Sequence, residues 1–454
     1  MPAVDIGSSY DRGEKVCVIG AGASGLLAVK NLIEHGFDVD CYERETGVGG
    51  IWNWRHDRSP VYATTHLISS KATTQIPDFP MPDHWPDYPH HRQVLSYLEH
   101  YADHFELRSH IWFGTEVVRA RPVPGDPAGR WDVTTRNTGG GSERTHRYAA
   151  VVVANGHHWS PNLPRYEGMD AYPGEVIHAR SFSDPATLRD RRVLVIGAGN
   201  TGCDIAVEAA QRASVCWHSS RRGYWYVPKY LLGRPVDQLN EQVLRLRLPV
   251  RLRQWMFHRL LRLAVGDLTR FGLARPDHRV YETHPIVNSQ LIYYLGHGRI
   301  TPVPDVRRFH RDGVELTNGE RIEPDLVICA TGYLPKLDFV EPEWLGMDQA
   351  GRPHLPLHLF GRHPSLAVAG LVQPDAGVLG LVHWQTVAVA QWLRLRRDDP
   401  GRAGTTWSRL VGLVDGRWHD VRTKDSTRHW FEVSHVRYLR ALQRTLNEWE
   451  GVGR

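Results

Sequence analysis

Two glycine-rich hexapeptides hold the chemistry most open to reading in this chain. Gly20-Ala21-Gly22-Ala23-Ser24-Gly25 follows a short apolar run, Lys15 to Ile19, and precedes Leu26 to His35, whose apolar residues recur at helical spacing and stop at Gly36. Phe37 to Glu43 then alternates as a second strand. Strand, tight turn and helix in that order aim the first N–H groups of the helix at a diphosphate. The first glycine permits the turn, the second clears the approach to the backbone, and the third lets the helix pack close to the strand. Glu43 closes the second strand, where a carboxylate accepts hydrogen bonds from both hydroxyls of an adenosine ribose and disfavours a 2′-phosphate.

The pattern recurs. Arg192 to Ile196 is the strand, Gly197-Ala198-Gly199-Asn200-Thr201-Gly202 the loop, Cys203 to Gln211 the helix and Val215 to His218 the next strand. Here Ser219-Ser220-Arg221-Arg222 stands in the place of Glu43 and offers hydroxyl donors and guanidinium groups to a 2′-phosphate, so the second nucleotide is expected to be NADPH. Beyond the first unit, Gly47-Val48-Gly49-Gly50-Ile51-Trp52 joins a glycine pair to a large aromatic, which suits backbone running against a flat isoalloxazine ring. FAD suits the first site, through Gly20, Gly22, Ala23, Ser24, Gly25, Glu43, Gly50, Ile51 and Trp52, a simple turn with a core tryptophan being the other local reading of Gly47 to Trp52. One chain holding two dinucleotides side by side implies electron transfer between them.

Such loops need parallel sheets to position them. A chain of 454 residues has room for two or three domains at roughly 100 to 200 residues each. The expected fold is α/β, with two Rossmann-like dinucleotide-binding domains. No stretch approaches the roughly 18 uninterrupted apolar residues of a membrane span. The N-terminal residues show no basic segment followed by an apolar one, so a cytoplasmic location is expected. Cys17, Cys41, Cys203, Cys216 and Cys329 are far apart and lie in or beside apolar runs, reading as reduced and buried. That spacing weighs against a disulfide reductase. A net charge of +5, spread along the chain, suits phosphate-bearing cofactors and gives no case for nucleic acid. No HxH or HExxH spacing suggests a metal.

Between the loops, Tyr172-Pro173-Gly174-Glu175-Val176-Ile177-His178-Ala179-Arg180-Ser181-Phe182 resembles the signature of the flavin-containing monooxygenases, carried here by Gly174, His178 and Phe182. Tyr172 stands where that family usually has Phe. The related Baeyer–Villiger enzymes typically end the signature with Trp, so Phe182 leans against them. The similarity extends through Ser69-Ser70-Lys71, Pro77 to Pro80, Lys229 to Pro235, His284 to Asn288 and Cys329-Ala330-Thr331-Gly332-Tyr333. The last resembles the element that returns the chain to the FAD domain, with Thr331 and Gly332 at the flavin nucleotide. The resemblance implies a split FAD domain, residues 1–160 and 325–454, with an NADPH domain, 161–324, inserted between. It implies a monooxygenase in which NADPH reduces FAD and O2 is activated at flavin C4a for transfer to a small soft nucleophile. Relatives often form homodimers.

One departure matters. Relatives that oxidise amines and sulfides usually carry Asn immediately before the serine pair, facing the flavin, whereas this chain has Ile68. An apolar side chain supplies no hydrogen bonds, which leaves His66 and Ser69 as neighbours able to help. The expected chemistry is N- or S-oxygenation, with amines slightly preferred. Baeyer–Villiger oxidation, oxidative decarboxylation of a 2-oxo acid and a non-oxygenating redox sensor stay open. Two further helices are expected: Val250 to Ala264, packed on the NADPH domain with a solvated arginine face, and Val433 to Trp449.

Overall fold

The computed structural model describes residues 10–246, 248–283, 285–413 and 429–450. His284, at the start of the His284 to Asn288 stretch, lies outside the described residues.

Two five-stranded parallel sheets carry the two loops. The first has the order Leu366–Val368, Ala150–Val153, Val16–Ile19, Val39–Tyr42, Ile111–Trp112. The second runs Glu175–His178, Leu326–Cys329, Arg192–Ile196, Val215–Ser219, Thr301–Val303. Their central strands are short apolar runs buried along their whole length, as strands covered on both faces must be. In each sheet the strand leading into a glycine loop lies between the strand that follows its helix and a strand from much later in the chain. This is the α/β architecture of two Rossmann-like units.

The first sheet is covered on one face by the helices Ala23–Glu34 and Leu379–Asp398. The later helix is apolar nearly all round because it is enclosed, with His435–Glu450 on its far side. Two amides buried in this stack are paired: Asn31 Nδ2 donates to Thr386 Oγ1 at 2.7 Å, and Gln385 Nε2 donates to the Tyr438 hydroxyl at 2.8 Å. A four-stranded sheet, Tyr10–Asp11, Arg144–Tyr148, Trp131–Asn137 and Thr115–Pro122, covers the other face through Trp131, Val133 and Tyr148.

The chain crosses between the sheets twice, and the crossings pair with each other: Ser160–Pro161 lies antiparallel to Tyr333–Leu334. The return was expected at residue 325. It falls later, because Leu326–Cys329 is hydrogen-bonded within the second sheet between Glu175–His178 and Arg192–Ile196.

The helix Val250–Ala264 has the expected bounds but a different outer face. Leu252, Trp255, Met256 and Leu263 are exposed, while Arg253 is buried. Arg259 lies over the Trp255 ring at 5.6 Å, so the outer surface mixes apolar and basic groups instead of presenting arginines alone. All five cysteines are buried and unbridged, and burial pushes the Cys216 and Cys329 thiols up to about 12. Among the described residues no helix is long and apolar enough to cross a membrane.

Candidate nucleotide sites and the segment between them

The two glycine loops are built alike, bond for bond. Gly20 N donates to Tyr42 O at 2.8 Å, as Gly197 N does to Ser219 O at 3.0 Å. Leu26 N donates to Gly22 O and Cys203 N to Gly199 O, both at 3.0 Å. Gly20 and Gly197 have φ of 102° and 113°, a region open to glycine. A Cβ on Gly25 would overlap the carbonyl oxygen of Gly20, and one on Gly202 would overlap that of Gly197. These contacts are the close helix-to-strand packing that the third glycine permits.

The helix ends above these loops are open. Neither Ala23–Glu34 nor Asn200–Arg212 has a side-chain cap at its N-cap glycine. The helix His91–His104, which follows no glycine loop, is closed by a reciprocal capping box of His90 and Gln93. First-turn N–H groups left without a side-chain partner are the donors a diphosphate would take. At the first loop the cradle is narrow and bare: a Cβ on Gly22 would come 3.4 Å from Gly50 Cα. Ser24 lies against Gly370, where a Cβ would overlap its hydroxyl. Gly50, Ile51 and Trp52 form a single tight turn, held by Ser59 Oγ donating to Ile51 O at 2.6 Å. The residues present thus fit a flavin dinucleotide at the first loop and a second dinucleotide at the other.

The two units diverge at the residues just past their second strands. Glu43 is buried, and its carboxylate accepts from Ala21 N at 2.7 Å and Glu45 N at 2.9 Å. Burial raises its pKa, and these two N–H groups oppose the rise. Because Tyr42 and Ser219 are equivalent in register, the counterpart of Glu43 is Ser220. Ser219 was expected among the donors to a 2′-phosphate, but its side chain is fully buried and its hydroxyl donates to Pro304 O at 2.9 Å. Ser220, exposed Arg221 and half-buried Arg222 remain. Arg222 is drawn towards Tyr224, with its guanidinium 5.3 Å from the ring centroid, which leaves Arg221 as the outward cation. Asn200 Oδ1 accepts from Val287 N at 2.8 Å, so this side chain secures the loop around residue 287.

The signature between the loops is a fastening. His178 Nδ1 accepts from Arg180 N at 3.1 Å, which fixes the proton on Nε2, and Nε2 donates to Gly332 O at 3.0 Å. Burial lowers the His178 pKa, in keeping with the neutral ring that this pair of bonds requires. Gly174 leaves room for the Tyr172 ring, and Phe182 is buried 5.7 Å from the ring of Tyr62. Thr331 and Gly332 were expected at the first nucleotide. They sit at the crossing: Thr331 Oγ1 donates to Asn162 O at 2.5 Å and Asn162 N to Gly332 O at 3.0 Å, while Ala330 O lies against Gly197 of the second loop. His178→Ala removes both imidazole bonds and is expected to cost about 1–2 kcal/mol. In a chain of this length that corresponds to a melting midpoint lower by about 1–2 °C; an unchanged midpoint would show that the fastening contributes nothing.

Among the three residues expected to face the flavin, His66 is exposed, with Nδ1 2.8 Å from Thr64 O and its ring centroid 4.8 Å from that of His90. Ile68 is half-buried. The Ser69 hydroxyl is 2.8 Å from Thr74 Oγ1, a partner of its own. They share one stretch, tied down at Leu67 N, which donates to Pro89 O at 3.0 Å. Sequence reasoning missed a neighbouring cluster: Tyr62, Asp204, Lys229 and Asn288. The signal available was an acid inside the otherwise apolar run Cys203 to Ala206, directly after the second loop.

The profile of the family described as FMO-like, flavin-binding monooxygenase-like, matches residues 13–401. Flavin-containing monooxygenase 5 of Homo sapiens is 30% identical over 450 residues, covering 94% of this chain and 82% of that protein. Among solved structures, S-allyl-L-cysteine S-oxygenase from Allium sativum superposes with a TM-score of 0.64 at 19% identity, over 96% of this chain and 88% of that one. A steroid monooxygenase bound to NADP reaches 0.72 at 19% identity, over 98% and 99%. The chain belongs to the flavin-binding monooxygenase family. It is a flavin-binding monooxygenase, and so an oxidoreductase that takes O2.

Proposed function

We propose that this monooxygenase oxygenates the nitrogen or sulfur of a small soft nucleophile, amines being slightly preferred. The observation that carries the reading is the chemistry of the stretch from His66 to Ser69. It presents an exposed histidine, an apolar side chain, and a hydroxyl already engaged with Thr74. The stretch itself contains no carboxylate and no acid–base pair to activate a substrate. An amine or thioether brings its own lone pair and needs none, so positioning and exclusion of water suffice. FAD bound here and reduced by NADPH would activate O2, one oxygen atom passing to the substrate and the other leaving as water. The relatives named for N-oxide formation, such as dimethylaniline monooxygenase 2 of Rattus norvegicus at 30% identity, support the same choice.

In this reading the first loop, with Glu43 and the turn Gly50 to Trp52, holds FAD. The second loop, with Ser220, Arg221 and Arg222, holds NADPH. The chain then divides as a split FAD domain around an inserted NADPH domain, with crossings near 160 and after 329. Baeyer–Villiger oxidation, decarboxylation of a 2-oxo acid and a non-oxygenating sensor are the rivals. The test is O2 consumption driven by NADPH, with an amine, a sulfide, a ketone and a 2-oxo acid offered in parallel and product quantified. Coupling to amine or sulfide is expected. Coupling only to the ketone or the oxo acid, or peroxide release with all four, would overturn the proposal.

A further inference from the structure

We infer that Asp204 is a positioning residue for hydride delivery, clamping the stretch from Tyr62 to Ser69 onto the helix of the second loop. This rests on the assignment of that loop to NADPH.

Asp204 lies in the helix Asn200–Arg212, just past Gly202. Its Oδ2 accepts from the Tyr62 hydroxyl at 3.1 Å and its Oδ1 from Asn288 Nδ2 at 2.7 Å. Three segments remote in sequence thus meet on one carboxylate. Lys229 is the nearby cation: its ammonium donates to Leu67 O at 3.3 Å, one residue from Ile68, and attracts Asp204 electrostatically. From Tyr62 the path continues to the first loop. Val61 N donates to Ser59 Oγ at 3.3 Å, Ser59 Oγ donates to Ile51 O at 2.6 Å, and the turn that holds Ile51 is bonded to the first loop by Gly49 N donating to Ala21 O at 3.0 Å. The two nucleotide loops are therefore joined by a continuous chain of bonds with Asp204 at its second-loop end. Structure alone would be served by a neutral amide, whereas a carboxylate accepts from both partners at once and attracts Lys229.

The charge on this clamp is titratable. Burial raises the Asp204 pKa to about 6, opposed by Lys229, Tyr62 and Asn288 and reinforced by Glu208, the remaining charge facing it. Its folded value lies above the unfolded one, so the protonated form is bound more tightly when folded. The stability it contributes is present at low pH and is lost as pH rises through about 6. Ionisation is thus held at a cost in stability, in exchange for a charged clamp at neutral pH.

The experiment compares wild type, Asp204→Asn and Tyr62→Phe as FAD-loaded proteins. Anaerobic flavin reduction by NADPH is followed against pH, and the melting midpoint of flavin-stripped protein is measured across the same range. In wild type the reduction rate should rise through about pH 6 while the midpoint falls. Asp204→Asn should retain FAD, slow reduction about tenfold or more, and flatten both pH profiles. Tyr62→Phe removes one bond to the charged form, so it should move both transitions to higher pH; this keeps the inference testable should Asp204→Asn fold poorly. If the variants keep the wild-type rate and profile, Asp204 is not a positioning residue. If wild type holds FAD but NADPH does not reduce it, the failure lies instead with the assignment of the second loop.

Discussion

Gly202→Ala should yield a protein that purifies yellow but whose flavin NADPH no longer reduces. The added methyl would fall within the radius of the Gly197 carbonyl oxygen and also crowd Ala330 Cβ at 3.3 Å. One obstacle is loop backbone and the other a methyl group with no rotamer that could give way, so the helix Asn200–Arg212 must move away from the sheet to admit it. The N–H groups at its open end then lose their aim at the diphosphate. A displacement of about 1 Å is enough to cost on the order of a hundredfold where two reacting groups must meet. The first loop is untouched by this change. Gly25→Ala makes the same collision with Gly20 in the other unit and should give the opposite phenotype, a colourless protein that does not retain FAD. Absorbance of the purified variants and anaerobic titration with NADPH read both results. The same phenotype from both variants would contradict the assignment of one nucleotide to each loop.

The second large effect concerns charge. Arg221→Ala should weaken NADPH by about 10- to 100-fold, the range of a charge-assisted contact to phosphate worth about 1.5–3 kcal/mol, and leave NADH nearly unchanged. Ser219→Ala should leave the preference between the two nucleotides alone, because that hydroxyl already serves Pro304. Steady-state KM for the two nucleotides distinguishes the cases. Equal weakening of both by Arg221→Ala would remove it from the phosphate clamp.

Both loops were legible in the sequence because each is local. A strand, a hexapeptide and a helix contiguous in the chain fix one another, and the structure finds Arg192–Ile196 and Val250–Ala264 with the bounds read from spacing. Register was harder. Only the pairing of Ile19 with Tyr42 and of Ile196 with Ser219 reveals that Ser220, one residue on, matches Glu43. A shift of one position along a strand exchanges an inward hydroxyl for an outward one. For the bonds that join the units the sequence offers one hint, the acid at Asp204 inside an apolar run, and no sign of its partners. Tyr62, Asp204 and Asn288 converge from segments remote in the chain, and no spacing announces such a meeting. The return at Leu326–Cys329 was misplaced for a related reason, since a short apolar strand carries no mark of the sheet it joins.

The most direct measurement of the central claim, two nucleotides seated so that one reduces the other, is anaerobic mixing of the FAD-loaded protein with NADPH. Rapid bleaching of the yellow flavin, faster with NADPH than with NADH, is the result this account requires. A protein that stays yellow under excess NADPH, while dithionite bleaches it, would contradict it.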